Sequence, residues 1–390
     1  MSDYFSILRI ANIANNRTGG MSRAMYLTGD ELERMGHEVE YVFSNDIQAR
    51  GDRRLHRFTA PYAIAQYIES ALKRKHFDIV EIHEPLAHLY LRRRSNYRHS
   101  PACIVFSHGL EERGRQAWIK YNKHKHIETP LVSRITTKLV VLQSKSAIRN
   151  ADLIVCCNSE DKGFLASQYG LDAEKLIVHF SGVSAYLLSQ KPVDAAANHL
   201  NLFFLGSWIT RKGTIDLVNA IALLALKNQG IQVTIAGAGR SEKDVRAEIP
   251  SGLQKHFTVI PKISDEKELS EVLSKQGIFV LPSYFEGQPL ALIEAAALGL
   301  VPVVTRIGGH SDFVKHQQNG LLVEVGDHEG LASQIQNLID SPALCEQLSK
   351  AAKVSAMRQT WAASAANLEK RYSALLSSRR SENPKNAQAD

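Results

Sequence analysis

At 390 residues the chain is longer than one ordinary hydrophobic core serves, so two domains are expected. Its 44% hydrophobic and 22% charged residues are those of a soluble globular protein, and no run of about 18 apolar residues is present to span a membrane. The net charge of +7 is modest but uneven, with thirteen Lys/Arg against three Glu between Arg92 and Arg149, an asymmetry that points to an acidic partner or surface.

The four cysteines make no C-x-x-C pair, which argues against a zinc or redox motif and for reduced, buried thiols in a cytoplasmic protein. The first residues, "MSDYFSILRIANIANN", lack the basic stretch and apolar run of a signal peptide.

In chain order, "SILRIAN" reads as a strand, "GGMSRAMYLTGDELERMG" as a helix stopped by Gly36, and "EVEYVFS" as the next strand. "FDIVEIH" and "ACIVFSH" are strands that each end in a histidine. A long basic helical region, "ADLIVCCNS" and "KLIVHFSGV" complete the first half. The pattern then restarts: strand "LNLFFLGSW", helix "TIDLVNAIALLALKNQG", strand "IQVTIAGAG", extended "FTVIPKI", helix "EKELSEVLSKQ", then strands "GIFVLPS", "VPVVTRIGG" and "GLLVEVGD". Such alternation argues for parallel sheets covered by helices, and its repetition for an α/β protein of two doubly wound Rossmann-like domains. The polar, Ala-rich "SQKPVDAAANHLN", residues 189–201, marks the expected break between domains at 1–190 and 200–355. A helical tail follows from about 343, its last part at 356–378, and 379–390 reads as disordered.

Doubly wound sheets bind ligands at the carboxyl ends of their strands, and the chemically interesting groups of this chain fall there. In "SYFEGQPLALIE", Pro289 suits the first turn of a helix, and backbone N–H groups from Gly287 through Leu290 would favour an anion at its start. Glu286 precedes that point; Glu294 lies eight positions later in an otherwise apolar helix, placed to reach the same ligand and to clamp paired hydroxyls. In "LGSWITRKGTIDLV", Arg211 and Lys212 stand just before a helix, where two cations fit a diphosphate. A solvated basic loop and an exposed helical acid are the plain alternatives. Gly19 and Gly20 let backbone approach a ligand or simply make a turn. His83 and His108 end neighbouring strands; a lone histidine there is more often a satisfied hydrogen bonder. "AGAGRSE" is a partial dinucleotide fingerprint without its third glycine. No D-x-D and no cluster with metal-ligand spacing occurs, so no metal is expected.

Over "FLGSWITRKG", "VTIAGAG", "GIFVLPSYFEGQPLALIEAAALGLVPVVTRIGG" and "HQQNGLLVEVGD" the second half resembles the family 4 retaining glycosyltransferases of the GT-B fold, with Glu286 and Glu294 as its most specific sign. The first half is similar more loosely, through Gly19-Gly20, "LERMGHEVEYV", His108-Gly109 and "CCNSEDKGFLASQYG". The resemblance implies a nucleoside diphosphate sugar held between two domains whose sheets face across a cleft, and a C-terminal helix that crosses back to the first domain. By the same resemblance Glu294 would hold ribose hydroxyls and Glu286 hydroxyls of the donor sugar near the reacting centre. Lys212 would neutralise the diphosphate, Gly20 would let the first loop approach, and His108 would contact the sugar. Ser207 stands where the family often has arginine, with Arg211 near enough to replace it, and Ser181-Gly182 stands for its Asn-Gly.

These readings converge on a cytoplasmic, metal-independent, retaining glycosyltransferase with no cofactor beyond its donor co-substrate, acting in cell-surface polysaccharide or lipopolysaccharide synthesis. The catalytic expectation rests on Glu286, His108 and Lys212, and donor binding on Glu294, Arg211, Gly20, Gly19, Gly287 and Leu290. The basic region 92–149 suggests a glycan or lipid-linked acceptor at the inner face of an anionic membrane; a merely solvated helical face is the alternative. Two rivals stay open: a two-domain dehydrogenase using "AGAGRSE", and a non-catalytic nucleotide- or sugar-binding protein that keeps the fold. A nucleic-acid role is not expected, since no aromatic–basic stacking platform is evident.

Overall fold

The structure is a computed structural model that describes residues 4–17, 20–47, 56–94, 100–124, 128 and 130–382. The chain divides into two compact units, one running through Phe180 and resuming at Trp361, the other spanning Ser181–Thr360.

The first unit contains β1 (Ser6–Ile10), α1 (Gly20–Arg34), β2 (Glu38–Val42), α2 (His56–Arg74), β3 (Ile79–His83), α3 (His88–Arg93), β4 (Ala102–Ser107), α4 (Glu111–His124), α5 (Leu131–Asn150), β5 (Leu153–Cys156), α6 (Ser159–Tyr169) and β6 (Leu176–Val178). The strands form a six-stranded parallel sheet in the order β2-β1-β3-β4-β5-β6. Helices cover both faces, so β1, β3, β4 and β5 are buried at every position and are mainly apolar.

Arg9 and Glu81 break that apolar rule. They stand opposite each other in the β1–β3 register, and Arg9 Nη2 donates to Glu81 Oε2 at 2.9 Å with both side chains 1% exposed. A second Arg9 nitrogen donates to the Met25 carbonyl at 2.8 Å. Two charges inside a sheet are tolerable only when each is paired and hydrogen-bonded, as here.

The second unit contains α7 (Ala185–Ser189), β7 (Asn201–Leu205), α8 (Thr214–Ala225), β8 (Gln232–Ala236), α9 (Glu242–Ala247), β9 (Phe257–Ile260), α10 (Glu266–Leu273), β10 (Ile278–Leu281), α11 (Leu290–Ala297), β11 (Val301–Thr305), α12 (Gly308–Phe313), β12 (Leu321–Val323), α13 (His328–Asp340) and α14 (Pro342–Met357). Its parallel sheet has the order β12-β11-β10-β7-β8-β9. Phe203, Phe279, Leu292, Val303 and Leu348 lie in its single large core.

The last helix, α15 (Trp361–Glu382), belongs to the first unit. Ala365, Leu368 and Tyr372 enter a core with Phe5, Ile7, Leu32 and Ile104. The Tyr372 hydroxyl donates to Glu81 Oε2 at 2.8 Å, completing the buried network.

Four expectations shift. The break expected at 189–201 falls instead at residue 180, because that polar segment is folded into the second unit. Val193 N donates to the Leu298 carbonyl at 2.8 Å, Ala195 is 2% exposed, and the Cys345 thiol donates to the Ala195 carbonyl at 3.3 Å. The helical tail from about 343 is made of two helices, parted where Val183 N donates to the Gln359 carbonyl at 2.8 Å, so its last part starts at 361 rather than 356 and runs to 382. Pro289 is the N-cap residue of α11, one position before the first turn. Helix α2, which the sequence reading did not single out, fills the stretch between β2 and β3. Within the expected disordered tail, 379–382 are helical and 383–390 lie outside the described residues.

Candidate active site

In the second sheet β8 and β9 lie on one side of β7, and β10 through β12 on the other. Connections therefore reverse direction between β7 and β10, and the loops leaving such a pair flank the crevice where doubly wound sheets bind ligands. The two loops are those of Arg211-Lys212 and Glu286. A backbone bond ties them, Tyr284 N donating to the Arg211 carbonyl at 2.8 Å. Gly213 makes the approach possible: its φ is +74°, and a Cβ there would sit 1.9 Å from the Pro282 carbonyl oxygen.

Glu286, 7% exposed, is the centre of this junction. Its Oε1 lies 2.6 Å from Lys212 Nζ and 3.5 Å from Arg211 Nη1, and it accepts the Ser283 hydroxyl at 2.9 Å. Arg211, more exposed, also donates to the Phe285 carbonyl at 2.6 Å. Burial by itself would raise the Glu286 carboxyl; Lys212, then Arg211 and His310, outweigh it and hold it below the usual carboxylate range. The carboxylate is thus ionised at neutral pH, with two cations beside it and positive charge to spare.

His310 lies behind this cluster and is fully buried. Its Nδ1 is 3.0 Å from the Thr305 carbonyl, which assigns the proton to that nitrogen, while Nε2 has no partner among the described residues. Burial pushes its pKa down to about 4 against the opposing pull of Glu286, so the ring is neutral at pH 7. Gln288 accepts from the backbone N–H of Ser181 through Oε1, and its Nε2 has no partner among the described residues. Gly309 lets α12 close on this loop, since a Cβ there would meet the Gly287 carbonyl at 2.2 Å. Ser283 and Gln288 fall within the strand-end segment 283–289 but were given no side-chain role; Thr305 and His310 were not singled out, and the sequence signal near them was the Gly-Gly pair after β11.

Glu294 is buried, at 4% exposure, in the second turn of α11, and Leu290 is the first helical residue. Gly287, Leu290 and Glu294 therefore lie on the same loop and helix as Glu286. The "AGAG" segment follows β8, one strand away from the reversal point, with left-handed Gly237 and Gly239.

Gly20 and His108 belong to the first unit. Gly20 opens α1 and is exposed; Gly19 lies outside the described residues. His108 follows β4, stacked on His83 at 4.5 Å and on Phe106 at 4.9 Å. Burial and then Arg9 push its pKa down to about 4, and its Nε2 has no partner among the described residues. Next to His83, Glu84 accepts hydrogen bonds from Ser144 and from the Glu111 N–H, yet burial raises it to about 7. No group of three His, Cys, Asp or Glu side chains that could hold a metal occurs among the described residues.

Comparisons with known proteins also fall into two halves, which meet at residues 185–189. A model described as glycosyl transferases group 1 matches residues 189–355, and one described as Glycosyltransferase Family 4 matches residues 18–185. Glycogen synthase of Mycobacterium tuberculosis is 26% identical over 209 residues, 53% of this chain and 50% of that protein. This chain's match thus spans about half the length of such a relative. A UDP-Gal:alpha-D-GlcNAc-diphosphoundecaprenol alpha-1,3-galactosyltransferase of Escherichia coli is 23% identical over 287 residues, 70% of this chain and 69% of that protein. Among solved structures, sucrose-phosphate synthase from Thermosynechococcus elongatus superposes with a TM-score of 0.77 at 20% identity, over 96% of this chain and 100% of the other. With two family models meeting nearly end to end along most of its length and two parallel six-stranded sheets of the GT-B kind, the chain belongs to the family 4 glycosyltransferases.

Proposed function

We propose that this chain transfers a sugar from a nucleoside diphosphate sugar to an acceptor hydroxyl, with retention of anomeric configuration and without a metal. The observation that carries this reading is the junction of Lys212, Arg211 and Glu286 at the reversal point of the second sheet. When the anomeric C–O bond to the diphosphate breaks, negative charge grows on the departing oxygen. Lys212 and Arg211 stabilise it in place of a divalent cation. Glu286 accepts from hydroxyls of the donor sugar. Glu294 clamps the ribose, and the backbone of Gly287 and Leu290 faces the phosphates from the start of α11. In the first unit His108, neutral at pH 7, exchanges hydrogen bonds with the sugar, and Gly20, having no side chain, leaves room for a ligand. The acceptor oxygen takes the anomeric position on the face the diphosphate leaves, and its proton departs with the leaving group.

A relative that bears UDP-Gal and a diphosphoundecaprenol-linked sugar in its name supports a nucleotide-sugar donor and a lipid-linked glycan acceptor, hence work on cell-surface polysaccharide at the inner face of a membrane. No helix among the described residues is long and apolar enough to cross a bilayer.

A thermal-shift screen of UDP-, GDP-, ADP- and TDP-sugars, followed by donor turnover, tests the reading. One donor class should raise the melting temperature and be consumed when acceptor is present. EDTA should leave the rate unchanged; loss of activity with recovery on added manganese would refute the metal-free step. Binding without turnover on any acceptor would favour a non-catalytic nucleotide-binding protein, and stabilisation by a nicotinamide instead would favour the dehydrogenase.

A further inference from the structure

Helix α5 has two apolar faces, and only one of them is buried. Val140, Val141, Ala147 and Ile148 pack into the first unit. Leu131, Val132, Ile135, Leu139 and Leu142 point the other way and are 68%, 73%, 51%, 42% and 61% exposed. At 3.6 residues per turn these five fall within an arc of roughly 100°, opposite the buried face. Beside α5, tied to it by the Lys145–Glu112 ion pair at 3.0 Å, α4 exposes Trp118 and Ile119. Monomeric soluble proteins rarely leave so many large apolar side chains of one helix in water.

The charges on and beside this face are mainly positive, the exposed Glu128 just before α5 being an exception. Helix α5 contains no Asp or Glu, and Arg134 and Lys138 are exposed along one side of its apolar arc, while Lys120 and Lys123 are exposed on α4. Of the acids in the first turn of α4, Glu112 pairs with Lys145 and accepts the Tyr169 hydroxyl. Part of the basic excess read from the sequence is internal: Arg94 pairs with Asp152, and Arg113 with Asp161. Lys125 lies outside the described residues. What remains is a mixed basic and apolar surface, not a merely basic one.

We propose that the outer face of α5, with Trp118 and Ile119 of α4, inserts into the headgroup boundary of an anionic lipid bilayer. An apolar arc bordered by Lys and Arg and free of acid fits that environment, with side chains entering the acyl boundary and cations meeting anionic headgroups. The inference rests on the membrane-surface part of the proposed function and deepens it, since attraction by charge alone would leave the apolar arc unused. Helix α4 begins three residues after His108, so the inserted face is joined to the strand end that carries that histidine.

Trp118 supplies a native probe, because Trp208 and Trp361 are buried at 1% and 5% exposure. The whole protein would be mixed with vesicles of phosphatidylglycerol and phosphatidylcholine, or of phosphatidylcholine alone, and followed by flotation and tryptophan emission. With anionic vesicles the emission should move to shorter wavelength and be quenched by lipids brominated on their acyl chains. Part of the binding should survive high salt. Leu131→Ser/Ile135→Ser/Leu139→Ser should remove the quenching and the salt-resistant part; all three residues are exposed, and unchanged circular dichroism and melting temperature would confirm that the variant is folded. Arg134→Ser and Lys138→Ser should each lower low-salt binding about fivefold. Quenching equal in the triple variant and the wild type, or wild-type binding that vanishes completely with salt and shifts no emission, overturns the proposal. So does a wild-type dimer in sedimentation that the triple variant dissolves without any vesicle binding. Donor turnover in solution without vesicles is read in parallel, so that loss of the docking surface is distinguished from loss of the transferase reading.

Discussion

The two units share one architecture and use it differently. Both place six parallel strands with helices on each face, and both bring their chemical groups to the carboxyl ends. In the second unit those ends gather charge: an ionised Glu286 against Lys212 and Arg211. In the first they gather the uncharged rings of His83 and His108 and a Glu84 whose pKa is raised to about 7. The first unit keeps its ion pair, Arg9 with Glu81, inside the sheet under the last helix instead. The same fold thus gathers full charges at one set of strand ends and mostly uncharged rings at the other, the difference being set by which side chains end the strands.

The largest effect should come from breaking the internal pair of the first unit. Glu81→Gln leaves Arg9 buried without its counter-charge and should cost about 3–5 kcal/mol in a urea titration. The double change Arg9→Met/Glu81→Met should recover much of that, and a double variant no better than the single one would show that the pair is not what matters.

In the second unit Lys212→Ala removes the cation from the leaving group. It should lower kcat on the order of 100-fold, read from donor turnover at saturating acceptor. Arg211→Ala should do less, being more exposed and farther from Glu286. Near-normal rates in both would detach this loop from the diphosphate.

Glu294→Ala should weaken donor binding by about 1.5–3 kcal/mol and leave turnover at saturation nearly intact, because ribose contacts act equally in ground and transition states. An unchanged donor KM would remove Glu294 from that role.

The smallest effect separates the units by pH. Burial, first among the causes, lowers His83, His108 and His179 in the first unit and His310 in the second. Their folded pKa values lie below the unfolded value of about 6.5, so their stabilisation is full above that pH and declines as pH falls toward 4. Each contributes about 1.4 kcal/mol per pH unit across that window. Glu84 acts in the opposite sense, its stabilisation full below the usual carboxylate pKa and lost as pH rises toward 7, and it offsets part of the histidine effect. Hydrogen exchange between pH 6.5 and 5 should show the first unit losing protection faster than the second, and Glu84→Gln should steepen the loss. Equal losses in both units would contradict this assignment.

Much of this was legible in the residues. The apolar strands, the glycine that ends α1 and the carboxylate pair at positions 286 and 294 are local patterns, and backbone geometry and hydrophobic periodicity write such patterns directly into sequence. The unit boundary was misplaced because polar, Ala-rich composition resembles a linker, whereas Ala195 and Val193 are anchored by contacts with Leu298 and Cys345, about 100 and 150 positions away. His310 was missed for the same reason, since nothing adjacent to it in the chain shows that it closes on the Glu286 loop; Gln288 lies in that loop, but its backbone alone was considered there. The outer face of α5 was read as charge alone, because exposure of its leucines and isoleucine depends on what the rest of the unit covers.

By itself, then, the sequence determined the α/β class, the two repeats, the strand ends as the place of chemistry and the identity of the charged groups there. Strand order belonged to the tertiary structure. Only the placement of β10 beside β7 brings Lys212 within 2.6 Å of a carboxylate 74 positions further along the chain, and only the placement of β3 beside β1 sets Glu81 against Arg9. Hydrophobic pattern specifies that a strand is buried on both faces but says nothing about its neighbours, which are chosen by how the whole set of helices and strands packs.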